Sequence, residues 1–420
     1  MSPNFLITLK LFLNNISFNE SQNNTSIGWG TLKGGAVTGQ IKDNVAIGYN
    51  ALTAVTNAVG NTAIGGRSTL QGITTGGNNV AVGSGAGQTA TTTSDLVLLG
   101  NSAGNALDGT GPNGSIAIGK SALAVHTTGA RNIAIGAEAM DDTNAGSTSL
   151  ASEDNTFIGY RAGSGTWADA ASNGNIGIGN YTMDAAMNGA LGNVSLGHYA
   201  VSSLTTGDYN IGIGQNAGLS ITTGEKNIAI GRLAGDTMTA TSNTILIGFE
   251  AGQAINSTDA NGTVAVGYQA GANITNGRYN TALGYQALVS EDDGDQNTAI
   301  GYSSLQSQTG TSGTVGNTAV GYNSGLNITT GNLNTMIGAN AQQYNIVGVR
   351  NTTVGNLSGQ VLYGSDTTAI GNQAGTFATG SQNTFVGSQA GKGNQSAPFS
   401  SGENNTAMGY QALDAFTTGY

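Results

Sequence analysis

The sequence predicts an all-β fold: a parallel β-solenoid of about 22 coils, with one repeat of about 17–18 residues in each coil. Three observations lead to this prediction. A motif of the type Asn-x-Ala-Ile-Gly recurs 22 times along the 420 residues, and ten of its 21 spacings are 17 residues. Glycine contributes 69 residues and proline only 3. The repeat is too short for a pair of helices, so each copy is expected to form short strands joined by tight glycine turns.

We align the copies on the last glycine of the motif, the closing glycine, and call each aligned position a column. The column just before the closing glycine is Ile, Val, Leu or Met in every copy. Because side chains alternate between the two faces of a strand, this uniformity predicts that the column faces a continuous apolar core. The predicted core column includes Ile47, Ile64, Ile135, Ile230, Ile300 and Ile370. One residue earlier, Ala is most frequent, which predicts that the other face of the strand is crowded.

Two further columns have a physical interpretation. Asn stands four residues before the glycine in 17 copies, which suits either a left-handed turn or a stacked ladder of side-chain amides. Three residues after the glycine, every copy has Ala, Ser or Thr, as at Ala51, Ala162 and Ala270. Only small side chains are expected to fit there.

The repeat array is predicted to span residues 21–420, and residues 1–20 form a separate N-terminal segment. The apolar stretch from Phe5 to Leu13 is too short to cross a membrane and lacks a basic start. We interpret it as a capping strand or a leader-like segment. At the other end, Phe416 to Tyr420 stop where the next Asn-led strand is due, so we expect the chain to be truncated there.

Composition excludes several classes of protein. The chain has 12 basic and 23 acidic residues and a formal net charge of −11, which argues against binding to nucleic acid or to an anionic membrane surface. It has no cysteine, so disulfides and thiolate metal sites are excluded. A disordered chain would need more charge and fewer aliphatic residues.

The motif and the small residues that follow it, as in Asn280 to Leu288, resemble the head repeat of YadA-like trimeric autotransporter adhesins. The longer variant found here is similar to repeat arrays of phage and viral tail fibres. The resemblance implies a left-handed β-roll in a homotrimer, on a cell surface through an anchor that is missing here, or on a virion tail fibre. It implies a rigid spacer and adhesion head for a host-surface glycan or protein receptor, with no catalysis, no cofactor and no membrane insertion of this segment.

Three candidate sites for chemistry have simpler interpretations. Gly114 to Ser121 match the P-loop pattern, but their middle residues are the repeat strand itself, and other copies carry Ala, Tyr or Arg in place of Lys120. The acidic run Glu291 to Asp295 offers oxygen ligands for Ca²⁺, yet a solvated turn is the preferred interpretation. His126 and His198 lie in different coils without partners at metal-ligand spacing. No catalytic, cofactor or metal site is therefore predicted.

Aromatic and threonine columns leave alternatives open. Tyr follows the closing glycine at Tyr49, Tyr160, Tyr268, Tyr285, Tyr302, Tyr322 and Tyr410. These rings can form either a packing ladder or an aromatic strip for sugars. Turns such as Thr222 to Gly224 can present rows of threonine, so an ice-binding solenoid is an alternative function. A polysaccharide-degrading β-helix with carboxylates on neighbouring coils is a further one.

Long spacings predict where a receptor is bound. The spacings that end at Gly159, Gly179 and Gly409 exceed 17 residues by 6, 3 and 5 residues, and insertions in a solenoid emerge as surface loops. The candidate receptor contacts in these segments are Trp167, Asp169, Lys392 and Phe399. The alternative for the tryptophan is that it covers a widened, irregular coil.

Overall fold

The computed structural model describes residues 23–34, 39–143, 151–310, 313–396 and 399–418, and the predicted N-terminal segment 1–20 lies outside these ranges. The chain divides into two compact units, residues 1–206 and 207–420, which we call unit 1 and unit 2. Each unit is a parallel β-solenoid, which confirms the predicted fold class. No α-helix occurs among the described residues.

The strands are two to four residues long, because a turn follows each closing glycine. The strands of unit 1 are β1 (Thr25–Ile27), β2 (Val45–Gly48), β3 (Thr62–Gly65), β4 (Val80–Val82), β5 (Val97–Leu99), β6 (Ile116–Ile118), β7 (Ile133–Ile135), β8 (Thr156–Ile158), β9 (Ile176–Ile178) and β10 (Val194–Leu196). Those of unit 2 are β11 (Ile211–Ile213), β12 (Ile228–Ile230), β13 (Ile245–Ile247), β14 (Val264–Val266), β15 (Thr281–Leu283), β16 (Gly294–Asp295), β17 (Thr298–Ile300), β18 (Gly313–Thr314), β19 (Thr318–Val320), β20 (Thr335–Ile337), β21 (Thr352–Val354), β22 (Thr368–Ile370), β23 (Thr384–Val386) and β24 (Thr406–Met408). A single 3₁₀ turn, Thr258–Ala260, lies between β13 and β14 in the described part of unit 2.

Motif strands of successive coils pair in parallel and in register within each unit. In unit 1, Ala46 of β2 lies beside Ala63 of β3, and in unit 2, Ala282 of β15 lies beside Ala299 of β17. Each motif therefore stacks on the same motif of the next coil. The remaining strands of unit 2, β16 and β18, form a separate parallel pair.

The middle residue of each strand faces the core, and the residue before the closing glycine does not. Ala46, Ala63 and Ala299 are fully buried. The predicted core column of Ile47, Ile64, Ile135, Ile230, Ile300 and Ile370 lies on the outer face of the single chain, where its members are partly exposed, Ile370 by 39%. The prediction for this column was wrong.

The bulk of the core comes from the opposite side of each coil. Leu288 and Leu305 stand four residues after the glycine and Ile274 stands seven residues after it, and all three are fully buried. These large side chains fill the space that a strand alanine leaves free. Alternation along a strand distinguishes two faces but does not say which face is buried. Here the large side chains on the opposite side of the coil decide that the alanine face of the strand is buried.

The asparagines that recur four residues before the closing glycine form a buried amide ladder. Asn61 donates from Nδ2 to Oδ1 of Asn44 at 3.1 Å, and Asn79 donates in the same way to Asn61 at 2.8 Å. The left-handed conformation belongs to the preceding residue, as at Asp43 with φ of 59°. Of the two interpretations of this column, the amide ladder is therefore the one found. The small column three residues after the glycine is also confirmed, since Ala51 is fully buried.

Candidate functional site

Of the two predicted receptor contacts in unit 1, Trp167 is buried and only Asp169 is exposed. Trp167 is fully buried, and its Nε1 donates to the carbonyl oxygen of Gly163 at 3.1 Å. Its ring meets that of Phe157 edge-on, with centroids 6.0 Å apart. Trp167 thus fills a widened coil, as the alternative interpretation of this residue predicted, and the prediction that it contacts a receptor was wrong. Asp169, two residues later, is exposed.

In unit 2, Phe399 follows an insertion but keeps the register of the repeat. Its ring stacks on Phe377 of the preceding coil, with centroids 6.3 Å apart and an interplanar angle of 7°. The next residue, Ser400, forms a parallel bridge with Ala378. Lys392 also keeps register, because its carbonyl accepts a hydrogen bond from the backbone N–H of Phe377 at 2.8 Å. The insertion is therefore confined to residues 393–398.

An open cleft of about 580 Å³ lies beside Phe399. We call it the aromatic groove and define it by Asn327, Thr329, Tyr344, Ile346, Tyr363 and Phe399. Sequence reasoning identified only the last of these residues. The alignment of the repeats could have indicated the others. Tyr344 and Tyr363 stand six and eight residues after their closing glycines, in columns where most other coils carry small or polar residues.

Five aromatic rings form a stacked ladder in unit 2. Phe249, Tyr268, Tyr285, Tyr302 and Tyr322 succeed one another with centroids 5.0 to 5.4 Å apart and interplanar angles of 6° to 17°. Each inner ring has both of its faces covered by neighbouring rings, so a sugar cannot stack on it. The arrangement fits the packing-ladder interpretation of this column, and its four tyrosines are 41% to 53% exposed.

His126 is fully buried at a position where other coils carry an aliphatic core residue. Its Nδ1 lies 2.9 Å from Oγ1 of Thr143, and its Nε2 lies 3.1 Å from the carbonyl oxygen of Gly129 and 3.0 Å from Nδ2 of Asn132. Burial lowers the pKa of His126 to about 4, although the contact with Gly129 opposes part of this shift. The ring is therefore neutral at pH 7 and serves as a buried connector between coils.

Glu291 is a buried carboxylate rather than part of a solvated turn. Its Oε1 accepts hydrogen bonds from the backbone N–H groups of Asp292 at 3.0 Å, Gly294 at 2.8 Å and Gly310 at 2.9 Å. Its Oε2 accepts from Nδ2 of Asn297 at 3.3 Å. Burial raises the pKa of Glu291, against the effect of these backbone bonds. The preferred interpretation of the acidic run was therefore wrong for its first residue, which ties two coils together.

The P-loop match does not have the geometry of a phosphate site. Strand β6 leads into Gly119, which has φ of +134° and lies against the carbonyl of Gly136 in the next coil. The residues after Gly119, including Lys120, form a turn where a P-loop would begin a helix. Lys120 is exposed on the outside of this turn.

Threonine hydroxyls in the turns bond to neighbouring coils. Thr222 donates from Oγ1 to the carbonyl oxygen of Thr239 at 3.1 Å, and Thr74 donates to that of Thr91 at 3.1 Å. These hydroxyls contribute to the stacking of coils. This geometry offers no specific support for the ice-binding alternative.

Across the ranges that the structure describes, no cluster of three or more His, Asp or Glu side chains is placed to hold a metal ion. The same ranges contain no helix of the length and apolarity that a membrane span requires. Neither finding adds a site to those described above.

No protein-family model and no curated protein sequence matches the chain. The fold itself follows from the strand register and the burial pattern of the two units. The surfaces available for function are the outer face of the strands, the aromatic ladder and the aromatic groove.

Proposed function

We propose that this protein is a fibrous surface protein of a cell or a virion, whose solenoid acts as a rigid spacer and adhesion head and carries no catalytic activity. The regular stacking of the coils supports the proposal. In unit 2, β12 pairs in register with β13, and β13 with β14, through backbone bonds that lock each coil to the next. Such one-dimensional stacking gives stiffness and a long exposed surface, which suits contact with a partner.

The proposed location is extracellular, on a cell surface or on a virion tail fibre. The similarity of the repeat to YadA-like head repeats and to tail-fibre arrays supports this location. The proposed partner is a host-surface glycan or protein receptor. The acidic balance of 12 basic against 23 acidic residues is the reason that nucleic acid is not proposed as a partner.

The proposed assembly is a homotrimer that packs through the outer face of the strands. Aliphatic side chains repeat on this face in each unit and remain partly exposed in the single chain. Exposed fractions are 46% at Leu196, 37% at Ile245, 45% at Leu283 and 41% at Ile337. A row of exposed aliphatic side chains of this kind within one unit is uncommon on a monomer and typical of an interface. The number of three chains comes from the resemblance to the adhesin repeats.

Light scattering on the purified chain tests this assembly. The expected mass is three times the 41.8 kDa of one chain. A double variant, Leu283→Glu with Ile300→Glu, places charges on the proposed interface and is expected to give folded monomers. The matched control, Ser220→Glu with Ser290→Glu, adds the same charge away from the strands and should remain trimeric. A folded parent that is monomeric contradicts the proposed trimer.

Adhesion is tested on beads coated with the purified protein. We expect these beads to be retained on a glycan-coated or cell-coated surface more strongly than albumin-coated beads under the same flow. Retention equal to that of albumin on glycan panels and on cultured bacterial and eukaryotic cells would contradict the adhesion role. The spacer role would then stand alone.

A further inference from the structure

The aromatic groove runs between two columns of outward side chains in unit 2. Asn327 and Tyr344 stand six residues after their closing glycines, and Thr329, Ile346 and Tyr363 stand eight residues after theirs. Consecutive coils are joined beneath it, since the backbone N–H of Asn327 donates to Gln343 at 3.1 Å and that of Tyr344 donates to Gln360 at 2.8 Å. With Phe399 at one end, the groove extends over five coils, or roughly 19 Å at the usual strand spacing.

This stretch departs from the rest of the repeat. The corresponding residues of other coils in unit 2 are small or polar: Ser220, Thr222, Thr237, Thr239, Ser290 and Asp292. In the groove, Tyr344 is 44% exposed, Ile346 is 50% exposed and Tyr363 is 43% exposed. These exposed apolar groups contribute little to the stability of the single chain. Because they are gathered in a concave region, they indicate a binding site.

We propose that the aromatic groove binds a neutral oligosaccharide. The rings of Tyr344 and Tyr363 offer apolar faces for the C–H face of a sugar. Phe399, whose ring is stacked on Phe377, closes one end of the groove. Asn327 contributes an amide that can both donate and accept, and Thr329 contributes a hydroxyl whose proton is already donated to the carbonyl oxygen of Ile346 at 3.1 Å. Thr329 is thus left as an acceptor for a sugar hydroxyl.

The residues that line the groove favour a neutral sugar over a charged glycan, a lipid tail or a second copy of the chain. None of the side chains that define it is charged, so it offers no counter-charge to a sulfated or carboxylated glycan. A lipid tail would leave the polar groups at Asn327 and Thr329 without partners. A second copy of the chain is expected on the outer face of the strands, which presents different residues from those of the groove. A neutral sugar satisfies both the rings and the polar groups.

The test uses the full chain and three neutral trisaccharides: cellotriose, triacetylchitotriose and maltotriose. Binding is followed by calorimetry, which does not depend on a signal from the substituted tyrosines. The double variant Tyr344→Ser with Tyr363→Thr restores residues that other coils carry at these columns, so it is expected to fold normally. We expect it to bind at least tenfold more weakly than the parent. The control Tyr279→Asn removes an exposed tyrosine outside the groove, where other coils carry Asn, and should bind like the parent.

Two results would overturn this inference: a parent that binds none of the three trisaccharides, and a double variant that binds them as tightly as the parent. Tighter binding of a trisaccharide of glucuronic acid, or of a proline-rich peptide, would assign the groove to another class of ligand and also overturn it.

The inference rests on the proposed adhesion role and deepens it, and the two can fail separately. Sugar binding in solution without bead retention would contradict adhesion and support the groove. Retention without sugar binding would support adhesion and contradict the groove.

Discussion

Gly179 lies directly against the carbonyl group of Gly197 in the next coil. Its φ is +136°, and a Cβ at this position would come 2.6 Å from the carbonyl oxygen of Gly197 and 2.8 Å from the carbonyl carbon. The closing glycine of the motif is thus required twice, for its backbone conformation and for the close approach of adjacent coils. Most of the other closing glycines share this conformation and this close approach, as at Gly119 and Gly301.

The substitution Gly179→Ala is expected to destabilise unit 1 by about 3 kcal/mol, from backbone strain and from the clash with Gly197. The shift of the thermal unfolding midpoint, followed by circular dichroism, measures this loss. Gly66→Ala is the control, because a Cβ there meets no atom within 4 Å. Equal midpoints for the two variants would contradict the proposed cause.

His126 is expected to make the protein acid-sensitive. Its folded pKa of about 4 lies below the unfolded value of 6.5, so the unfolded chain binds the proton more readily. The stability that a neutral His126 contributes is complete above pH 6.5 and is lost as the pH falls towards 4. The loss over this window is about 3 kcal/mol, because each pKa unit corresponds to about 1.4 kcal/mol.

The variant His126→Leu tests the acid sensitivity, since Leu107 holds the same position in the preceding coil. Its stability at pH 7 is expected to fall, because Thr143 loses a partner. Between pH 6.5 and 4, however, it should lose less stability than the parent. His198→Gln, at an exposed histidine, serves as the control. If the parent and His126→Leu show the same pH dependence, His126 is not the group responsible.

Glu291→Ile is expected to destabilise unit 2, although Ile274 holds the same position one coil earlier. The substitution removes the acceptor of three backbone N–H groups, at a cost of roughly 3 kcal/mol. Ile274→Leu, a swap between aliphatic residues in the same column, should cost less than about 1.5 kcal/mol. Chemical unfolding of the two variants measures the difference. A variant Glu291→Ile as stable as the parent would show that these bonds contribute nothing.

The charge of Glu291 predicts a pH effect of opposite sign to that of His126. Burial raises its pKa above the ordinary value of 4.5, so its contribution to stability is complete below 4.5 and is lost as the pH rises through the folded pKa. Glu291→Gln cannot ionise. The stability of the parent relative to Glu291→Gln is therefore expected to decline as the pH rises above 4.5, and a constant difference would contradict this.

Tyr285→Ala is expected to weaken unit 2 by about 1 kcal/mol, because it removes two ring contacts from the aromatic ladder. Tyr285 lies 5.0 Å from Tyr268 and 5.0 Å from Tyr302, measured between ring centroids. Tyr49→Ala is the comparison, since Tyr49 stacks on no ring in the described part of unit 1. If the ladder is packing, Tyr285→Ala lowers stability and leaves trisaccharide binding unchanged.

The sequence alone determined the period, the parallel stacking and the register. Identical motifs at nearly constant spacing can bury their apolar residues together only by stacking like on like, and this also aligns asparagines such as Asn44 and Asn61 in a ladder. The need for a small residue in the column of Ala51 and for glycine at Gly179 could be predicted for the same reason, because each position contacts the equivalent position of the next coil.

Only the tertiary structure decided which residues lie inside. A strand alternates between two faces, and the face that becomes inner depends on what approaches from the other side of the coil. Leu288 and Ile274 approach from there, which places Ala282 inside and Ile300 outside. The burial of Trp167 and Glu291 also depends on the residues packed against them. The stacking of coils brings Tyr344 and Tyr363 into one groove although they are 19 residues apart in the sequence.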